Sequence, residues 1–267
     1  MRRLVNAVTG ALALALLAAL CFSAVRAWLE TEPQSLTSSD GRPLVTAVQP
    51  RVVTFPGAID NNGYDVSYPQ CKRKLPKAAV GFAIVGLNNG KPFTQNPCFA
   101  KQWKWAGRHA GSAVYVNMAD PRQGSATKYG ASIARDSVRR LHAQGVPAGT
   151  PVWLDIESAN TWSESSRATL AINAALAGLT RAGYPVGVYA APVHWFEITL
   201  NAVVGVPVWV AIGRYDTVDA GVAAAKTACG EVAYGDRDPA IVQFTVGRLD
   251  HNLMCTVDAA GLVAPRR

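Results

Sequence analysis

The stretch VWLDIES (residues 152–158) has the composition of a buried strand, yet it carries two acids near its carboxyl end. Side chains at positions i and i+2 of a strand point to the same side, so we expect Asp155 and Glu157 to share one face. Two adjacent carboxyl groups raise each other's cost of ionisation, so one of them keeps its proton to a higher pH. The stretch therefore predicts a buried strand that ends in an acid pair with unequal proton affinities.

Similar apolar runs, rich in Val and Ile, recur on both sides of this stretch. We predict strands at residues 63–67, 80–87, 112–118, 151–157, 185–191, 207–213 and 240–245. Helical patterns lie between them, at residues 98–110, 126–144, 163–182 and 219–229. Hydrophobic strands separated by helices favour a parallel sheet that is covered on both faces.

The number of strands favours an α/β fold of the TIM-like (β/α) barrel type. Seven or eight strands within about 200 residues fit a closed barrel better than an open doubly wound sheet. The open sheet also lacks support because no GxGxxG loop follows the first strand, where the chain instead continues as DVSYPQC (residues 65–71). We expect one barrel domain at residues 58–264.

The amino-terminal segment predicts export. Arg2 and Arg3 precede a long apolar stretch, and small residues end it at Ala27. This is the pattern of a signal peptide, and the apolar stretch is also long enough to remain as an uncleaved membrane anchor. Residues 28–57 are rich in Pro, Ser, Thr and Gln, which indicates a stalk or strap. We therefore expect a secreted or cell-surface protein.

The composition is that of a globular protein with a modest positive charge. The 267 residues are 49% hydrophobic and 16% charged, enough apolar material for one large core. The formal net charge is +8, and it falls to about +5 (23 basic minus 18 acidic) for a chain that begins at residue 28. This bias favours an anionic polymer such as a cell-wall glycan, whereas the Lys and Arg residues are scattered and form no nucleic-acid footprint.

The cysteines predict two disulfide bonds. Cys71, Cys98, Cys229 and Cys255 are an even number in a chain that is expected to be exported. Four cysteines allow three pairings. Loop entropy tolerates Cys71 with Cys98 and Cys229 with Cys255, each closing a loop of roughly 30 residues worth about 3 kcal/mol.

Two further acids accompany the pair at residues 155 and 157. Asp65 lies at the end of the first expected strand, and Asp250 follows the seventh. Because catalytic groups of (β/α) barrels collect at the carboxyl ends of strands, we expect all four acids around one pocket. A protonated and an ionised carboxyl group together suit glycoside cleavage. The alternatives are solvated acids that cap the strand ends, and a Mg²⁺ or Ca²⁺ site.

Several aromatic and amide side chains are candidates for sugar contact, because saccharide clefts are usually walled by aromatic rings. Trp162, in the loop after Glu157, either forms a sugar platform or packs that loop onto the barrel. Tyr189 and Trp209 are expected in the core or the cleft wall. Gln243 needs hydrogen-bond partners within an apolar strand, so it is expected to face Asp250 or a sugar.

We expect no metal and no cofactor. The four histidines form no HExxH or other paired ligand pattern, which argues against zinc. A GxSxG elbow is missing, which argues against a serine hydrolase. Catalysis by cysteine is also disfavoured, because all the cysteines of the domain can pair.

The order of several motifs resembles glycoside hydrolase family 25, the Chalaropsis-type lysozymes. It resembles even more closely their actinobacterial exported relatives, known as glycoside-hydrolase-like domains of unknown function. The motifs are GYDVSYPQ (63–70), GFAIVGLNNGKPFTQNPCFA (81–100), VWLDIES (152–158), GVYAAPVHW (187–195), VWVAIG (208–213), IVQFT (241–245) and LDHN (249–252). The resemblance covers about residues 62–258.

This resemblance implies an irregular (β/α)5(β)3 barrel and hydrolysis of the bond between muramic acid and glucosamine in peptidoglycan. Glu157 would match the general acid, and Asp155 the carboxylate that assists the substrate's acetamido group or stabilises the cation. Asp65 and Asp250 would match two further carboxylates that hold the substrate and tune the pair. The third strand departs from the family's aromatic-rich ending, because Tyr115 and Asn117 share its face here and imply a different sugar-contacting floor.

The sequence therefore predicts a monomeric exported enzyme that hydrolyses peptidoglycan or another cell-wall polysaccharide and does not bind nucleic acid. A membrane tether through the amino-terminal segment is compatible with this function. Two alternatives stay open: a barrel that binds wall polysaccharide with little or no turnover, and a structural envelope protein whose acids only cap strands.

Overall fold

The structure of the protein, a computed structural model, describes residues 61–77, 80–120 and 122–255, together with the backbone of residues 264–265. These residues belong to one compact unit, Gln34–Arg267. The segments expected as leader or anchor (1–27) and as stalk (28–57) lie outside the described residues. Within the described part, none of the helices combines the length and the apolar character needed to cross a bilayer.

The described chain alternates strands with helices. The strands are β1 (Asn62–Val66), β2 (Phe82–Gly86), β3 (Gly111–Asn117), β4 (Val152–Asp155), β5 (Val186–Ala190), β6 (Val208–Tyr215), β7 (Pro239–Val246), β8 (Leu249–Met254) and β9 (Ala264–Pro265). The helices are α1 (Phe99–Ala106), α2 (Ala126–Ala143), α3 (Ser165–Arg181), α4 (Pro192–Thr199) and α5 (Val218–Ala228). A short 3-10 helix, Tyr68–Gln70, follows β1.

Strands β1 to β8 close into a barrel, which confirms the predicted fold class. Neighbouring strands from β1 to β7 pair in parallel, including β2 with β3, and β8 pairs antiparallel with both β7 and β1. The five helices each follow one of the strands β2 to β6, and no helix separates β7 from β8. This order matches the irregular (β/α)5(β)3 arrangement.

The parallel sheet predicted from the sequence is found from β1 to β7, whereas β8 runs antiparallel because the connection before it is short. Only Gly247 and Arg248 join β7 to β8, and a two-residue turn can only connect antiparallel strands. The sequence pattern does not mark β8, because its polar residues interrupt the apolar run. The pattern also does not mark helix α4, which spans only eight residues.

Strand β4 ends two residues earlier than expected, and this separates the environments of the two acids. Asp155 is the last residue of β4 and is buried. Ile156 still donates its backbone N–H to the carbonyl of Tyr189, at 2.9 Å. The chain then turns, because the carbonyl of Glu157 accepts from the backbone N–H of Asn160 at 3.1 Å. Glu157 therefore lies in the loop beyond β4 and is only half-buried.

The inward-facing side chains of the strands fill the amino-terminal part of the barrel. We call this group the apolar layer; it consists of Phe82, Ile84, Ala113, Trp153, Tyr189, Trp209, Ile241 and Met254. The packing is close enough that Gly187 has no room for a side chain, since a Cβ there would lie 2.4 Å from Cζ3 of Trp153. The outward-facing side chains pack against the helices in a second, larger cluster.

The two disulfide bonds join Cys71 to Cys98 and Cys229 to Cys255, which confirms that the four cysteines pair. The first bond links the end of the 3-10 helix to the residue before α1. The second links the end of α5 to the residue after β8. Both therefore brace loops against the barrel wall.

Candidate active site

One pocket of about 470 Å³ opens at the carboxyl ends of the strands, above the apolar layer. All four predicted acids line it, namely Asp65, Asp155, Glu157 and Asp250. Five of the six residues expected to contact substrate also line it, namely Tyr115, Asn117, Tyr189, Trp209 and Gln243. The barrel thus brings together nearly all the predicted site residues, although they come from seven different strands and one loop.

Asp65 and Asp250 face each other because β1 and β8 pair antiparallel in a register that places their Cα atoms opposite. Asp65 is only 4% exposed, and its Oδ2 accepts hydrogen bonds from two amides. Gln243 Nε2 donates at 2.9 Å and Asn252 Nδ2 at 2.8 Å. The hydroxyl of Thr245 donates to Oδ1 of Asp250 at 2.7 Å. Each of these acids is therefore held in a defined orientation.

The two amides that hold Asp65 are themselves oriented by aromatic residues of the apolar layer. The hydroxyl of Tyr189 donates to Gln243 Oε1 at 2.8 Å. Trp209 Nε1 donates to Asn252 Oδ1 at 2.8 Å. Because each amide oxygen accepts from below, each amide nitrogen is left to point at Asp65. The apolar layer therefore fixes the position of an acid above it.

The pKa of Asp65 is raised to about 8. Burial is the main cause, followed by the negative charge of Asp250. The hydrogen bonds from Asn252 and Gln243 favour the ionised form and oppose the rise without cancelling it. Asp65 therefore retains its proton at neutral pH in a large fraction of molecules.

Asp155 is held at the end of β4 by Asn117 of the neighbouring strand. Asn117 Nδ2 donates to Oδ2 of Asp155. The backbone of Asn117 is fixed by Asn88, whose side chain donates to its carbonyl at 2.9 Å and accepts from its N–H at 3.1 Å. The other carboxyl oxygen, Oδ1, is buried and has no hydrogen-bond partner among the described residues. The described fold therefore satisfies only one of the two oxygens of this carboxyl group.

The pKa of Asp155 is raised well above its usual value, mainly by burial and then by the charges of Glu157 and Asp65. The pKa of Glu157 is also raised, mainly by burial, while the charge of His194 opposes the rise and that of Asp250 adds to it. Both acids therefore hold a proton more strongly than free carboxyl groups. The negative charge of Glu157 opposes the ionisation of Asp155, so the ionisation of the two acids is linked.

Trp162 does not line the pocket. Its indole packs against the outer core, and Nε1 donates to the backbone carbonyl of Glu157 at 2.7 Å. Of the two alternatives from the sequence, the structure shows the one in which Trp162 packs the loop onto the barrel. Trp162 is therefore not a wall of the pocket, because its ring packs on the core and fixes the position of Glu157.

Sequence reasoning missed other parts of the pocket wall. Tyr68 and Gln70, in the 3-10 helix after β1, and Lys91, in the loop after β2, line the pocket without a local pattern that marks them. Thr245 and Asn252 could have been found, because each lies two residues along a strand from a predicted site residue. Across the described part of the chain, no group of three His, Cys, Asp or Glu side chains could hold a metal ion.

Fold and pocket together define a glycoside-hydrolase-like barrel, in which carboxyl groups from several strand ends meet at one opening. The family model described as lysozyme-like protein 1 matches residues 70–223, more than half of the chain. The chain belongs to this lysozyme-like family. The matched segment includes Asp155 and Glu157.

Solved structures show the same fold. A lysozyme from Streptomyces coelicolor aligns with a TM-score of 0.52 at 17% identity, covering 75% of this chain and 96% of its own. The catalytic domain of endolysin ply40, from bacteriophage P40 of Listeria monocytogenes, aligns with a TM-score of 0.52 at 18% identity. This alignment covers 78% of this chain and 98% of the endolysin domain.

A third structure, the family 25 glycosyl hydrolase GHIP of Streptococcus pneumoniae, aligns with a TM-score of 0.53 at 16% identity. This alignment covers 76% of this chain and 92% of GHIP. These likenesses confirm the resemblance to glycoside hydrolase family 25 at the level of fold. No curated protein sequence matches this chain significantly.

Proposed function

We propose that this protein is a lysozyme-type glycoside hydrolase that cleaves the glycan strands of peptidoglycan. The observation that carries the proposal is the meeting of four carboxyl groups with unequal surroundings in one pocket at the carboxyl ends of the strands. Membership of a lysozyme-like family supports it, as does a fold shared with a lysozyme and a phage endolysin.

Glu157 is the proposed general acid. It lies in the loop above the strands and is only half-buried, so a glycosidic oxygen in the pocket can approach it. Its raised pKa means that a proton is present on a larger fraction of molecules at a given pH than on a free glutamate. The bond between Trp162 Nε1 and the Glu157 carbonyl keeps the loop in place while the proton is transferred.

Asp155 is the proposed carboxylate that stabilises the positive centre left on the sugar, or that assists the substrate's acetamido group. Its side chain lines the pocket, and Asn117 holds its Oδ2 in a defined orientation. When Glu157 carries the proton, its charge no longer opposes the ionisation of Asp155, so the pair favours one proton shared between two carboxyl groups.

The remaining pocket residues divide between acid positioning and substrate contact. Asn117 and Gln243 are engaged in holding Asp155 and Asp65, so we propose that they orient the acids. The rings of Tyr115, Tyr189 and Trp209 stand in the wall, where a sugar's CH face can pack against them. Asp65 and Asp250 are proposed to bind hydroxyl groups of the substrate.

We also propose that the protein is exported and acts outside the cytoplasm as a monomer, either secreted or tethered through its amino-terminal segment. The basic and apolar pattern of residues 1–27 supports export. Two disulfide bonds support an oxidising compartment.

The test is turnover of purified peptidoglycan by the full chain, with mass analysis of the released products. Glu157→Gln keeps the size of the side chain and removes the transferable proton, so we expect the rate to fall by about 10²- to 10⁴-fold. Glu197→Gln is the matched control, because Glu197 is exposed on α4 and does not line the pocket. Its rate should equal that of the unaltered protein.

Two results would overturn the proposal. If the unaltered protein releases no reducing sugar and still binds the glycan, and Glu157→Gln binds equally well, the barrel is a binding module. If it neither binds nor cleaves any wall glycan, the acids have only a structural role.

A further inference from the structure

One part of the chain is basic without any compensating acid. Between Asp65 and Asp120 the sequence contains no Asp or Glu. The same interval contains eight Lys and Arg residues. Lys91 lies on the pocket wall, and the other seven form what we call the basic face: Lys72, Arg73, Lys74, Lys77, Lys101, Lys104 and Arg108.

The two segments of the basic face are fastened together. The disulfide bond between Cys71 and Cys98 joins the start of residues 72–77 to the start of α1. Further along, Trp105 of α1 donates its Nε1–H to the carbonyl of Pro76 at 3.0 Å. Leu75 and Trp103 pack against the same core cluster. Residues 72–77 are therefore held along α1 at both ends.

The charged side chains all point to solvent. Helix α1 buries Phe99, Gln102 and Trp105, whereas Lys101 and Lys104 lie one turn apart on its exposed side. All seven residues of the basic face are exposed. Among the described residues, none of their side chains forms a salt bridge or a hydrogen bond. The positive charge of this surface is therefore not neutralised within the described fold.

The basic face begins at the wall of the pocket. The 3-10 helix Tyr68–Gln70 lines the pocket, and the chain then runs through Cys71 directly into Lys72. Helix α1 is attached to the same wall, because Gln102 Nε2 donates to the carbonyl of Ser67 at 2.6 Å. The expectation that the basic residues are scattered is thus corrected by the tertiary structure, which gathers seven of them on one face that starts beside the opening and extends along α1.

We propose that the basic face is a second binding site, which holds an extended anionic glycopolymer of the cell envelope alongside the pocket. Its recognition chemistry is a row of phosphodiester or carboxylate groups, which unpaired Lys and Arg side chains attract over a Debye length and bind on contact. The proposal does not depend on turnover at Glu157.

A polymer in water fits this surface better than a membrane. Basic surfaces that bind bilayers combine their charge with apolar side chains that enter the lipid. Among the described residues, the exposed large apolar side chains include Val193, Phe196 and Leu200 near α4, and none of them lies in residues 71–77 or in α1. The basic face therefore offers charge without an apolar anchor.

The test measures binding of the full chain to fluorescent polymers of equal length. Poly(glycerol phosphate) supplies phosphodiesters, polyglucuronate supplies carboxylates, and dextran is the neutral reference. One variant reverses four charges of the basic face: Arg73→Glu, Lys74→Glu, Lys101→Glu and Arg108→Glu. The matched control reverses two Lys and two Arg that are exposed elsewhere: Lys128→Glu, Arg135→Glu, Lys226→Glu and Arg237→Glu.

We expect the unaltered protein to bind one or both anionic polymers and not dextran. The basic-face variant should bind at least about tenfold more weakly, and the control less than about threefold, because only contact charges act at full strength in salt. Affinity should fall steeply between about 50 and 200 mM salt. The preference between the two polymers identifies the anionic group, and Glu157→Gln should bind as the unaltered protein does.

Equal losses of polymer affinity in the basic-face variant and in the control variant would show that only net charge matters and would overturn the proposal. Tighter binding to vesicles of phosphatidylglycerol and phosphatidylcholine than to either polymer would also overturn it, and would assign the surface to a membrane. If thermal unfolding shows that the basic-face variant is misfolded, the same four residues are changed to Gln instead of Glu. The four control residues are then also changed to Gln, and the basic-face Gln variant must bind the anionic polymers more weakly than the control Gln variant.

Discussion

Strand β4 places Trp153 and Asp155 on the same inner face of the barrel, two residues apart, in opposite surroundings. Trp153 is 1% exposed and belongs to the apolar layer. Asp155 stands one step closer to the opening, among carboxyl groups and amides. The inward-facing side chains of one strand thus contribute both to the apolar layer and to the charged pocket. The position along the barrel axis decides to which of the two a side chain belongs.

The apolar layer and the acids of the pocket also have opposite effects on the free energy of unfolding. The apolar layer removes large aromatic side chains from water, which stabilises the fold. The acids above it have raised pKa values because the fold disfavours their ionised forms. Tyr189 and Trp209 connect the levels, since their rings pack below and their polar atoms hold the amides around Asp65.

The largest effect on stability is expected from Trp153→Ala, which opens a cavity in the apolar layer. Nε1 of Trp153 has no hydrogen-bond partner among the described residues, so the substitution tests packing rather than polar contacts. We expect the free energy of unfolding to fall by about 3–5 kcal/mol, measured by urea denaturation. Leu170→Ala, at a residue that is 46% exposed, should change it by less than about 0.5 kcal/mol. Equal effects would deny that this layer supports the barrel.

A smaller effect is expected from Asp65→Asn, which should raise the free energy of unfolding at alkaline pH. The pKa of Asp65 is about 8 in the folded state and 3.8 in the reference state, so the folded protein binds more protons between these values. Stability linked to Asp65 is therefore present at low pH and lost as the pH rises towards 8. Asn removes this loss and keeps an oxygen that can accept from Gln243 and Asn252.

Between pH 5 and pH 8 the free energy of unfolding of the unaltered protein should therefore fall further than that of Asp65→Asn. We expect the two decreases, measured by urea denaturation, to differ by at least about 1 kcal/mol. Asp238→Asn is the control, because Asp238 is exposed and does not line the pocket. Parallel pH profiles for all three proteins would contradict the raised pKa of Asp65.

The smallest effect is expected from Tyr189→Phe, which keeps the ring in the apolar layer and removes the bond to Gln243. The free energy of unfolding should fall by about 0.5–1.5 kcal/mol. Since Gln243 would then hold Asp65 less firmly, the pH dependence of turnover should also shift, whereas a ring that only packs would leave it unchanged. Turnover across pH with the same peptidoglycan substrate measures this.

The sequence predicted the regular part of the fold because its signals are local. Strands β1 to β7 follow from apolar runs with turns between them, and four of the five described helices follow from their periodicity. Helix α4 was missed because it is short and exposes Val193 and Phe196, so it lacks a clear polar face. The sequence leaves two orientations open for Trp162, because a loop position does not reveal which way a side chain turns.

The chain by itself determined that the protein has hydrophobic strands with acids at their ends, since strand periodicity and burial act between neighbours in sequence. Only the tertiary structure decided that β8 enters between β7 and β1 in the register that sets Asp250 opposite Asp65. It also decided that residues 72–77 lie along α1, which gathers the basic residues on one face that starts at the pocket wall. Both arrangements join residues that are far apart along the chain, and such contacts depend on strand register and disulfide closure, which no local pattern encodes.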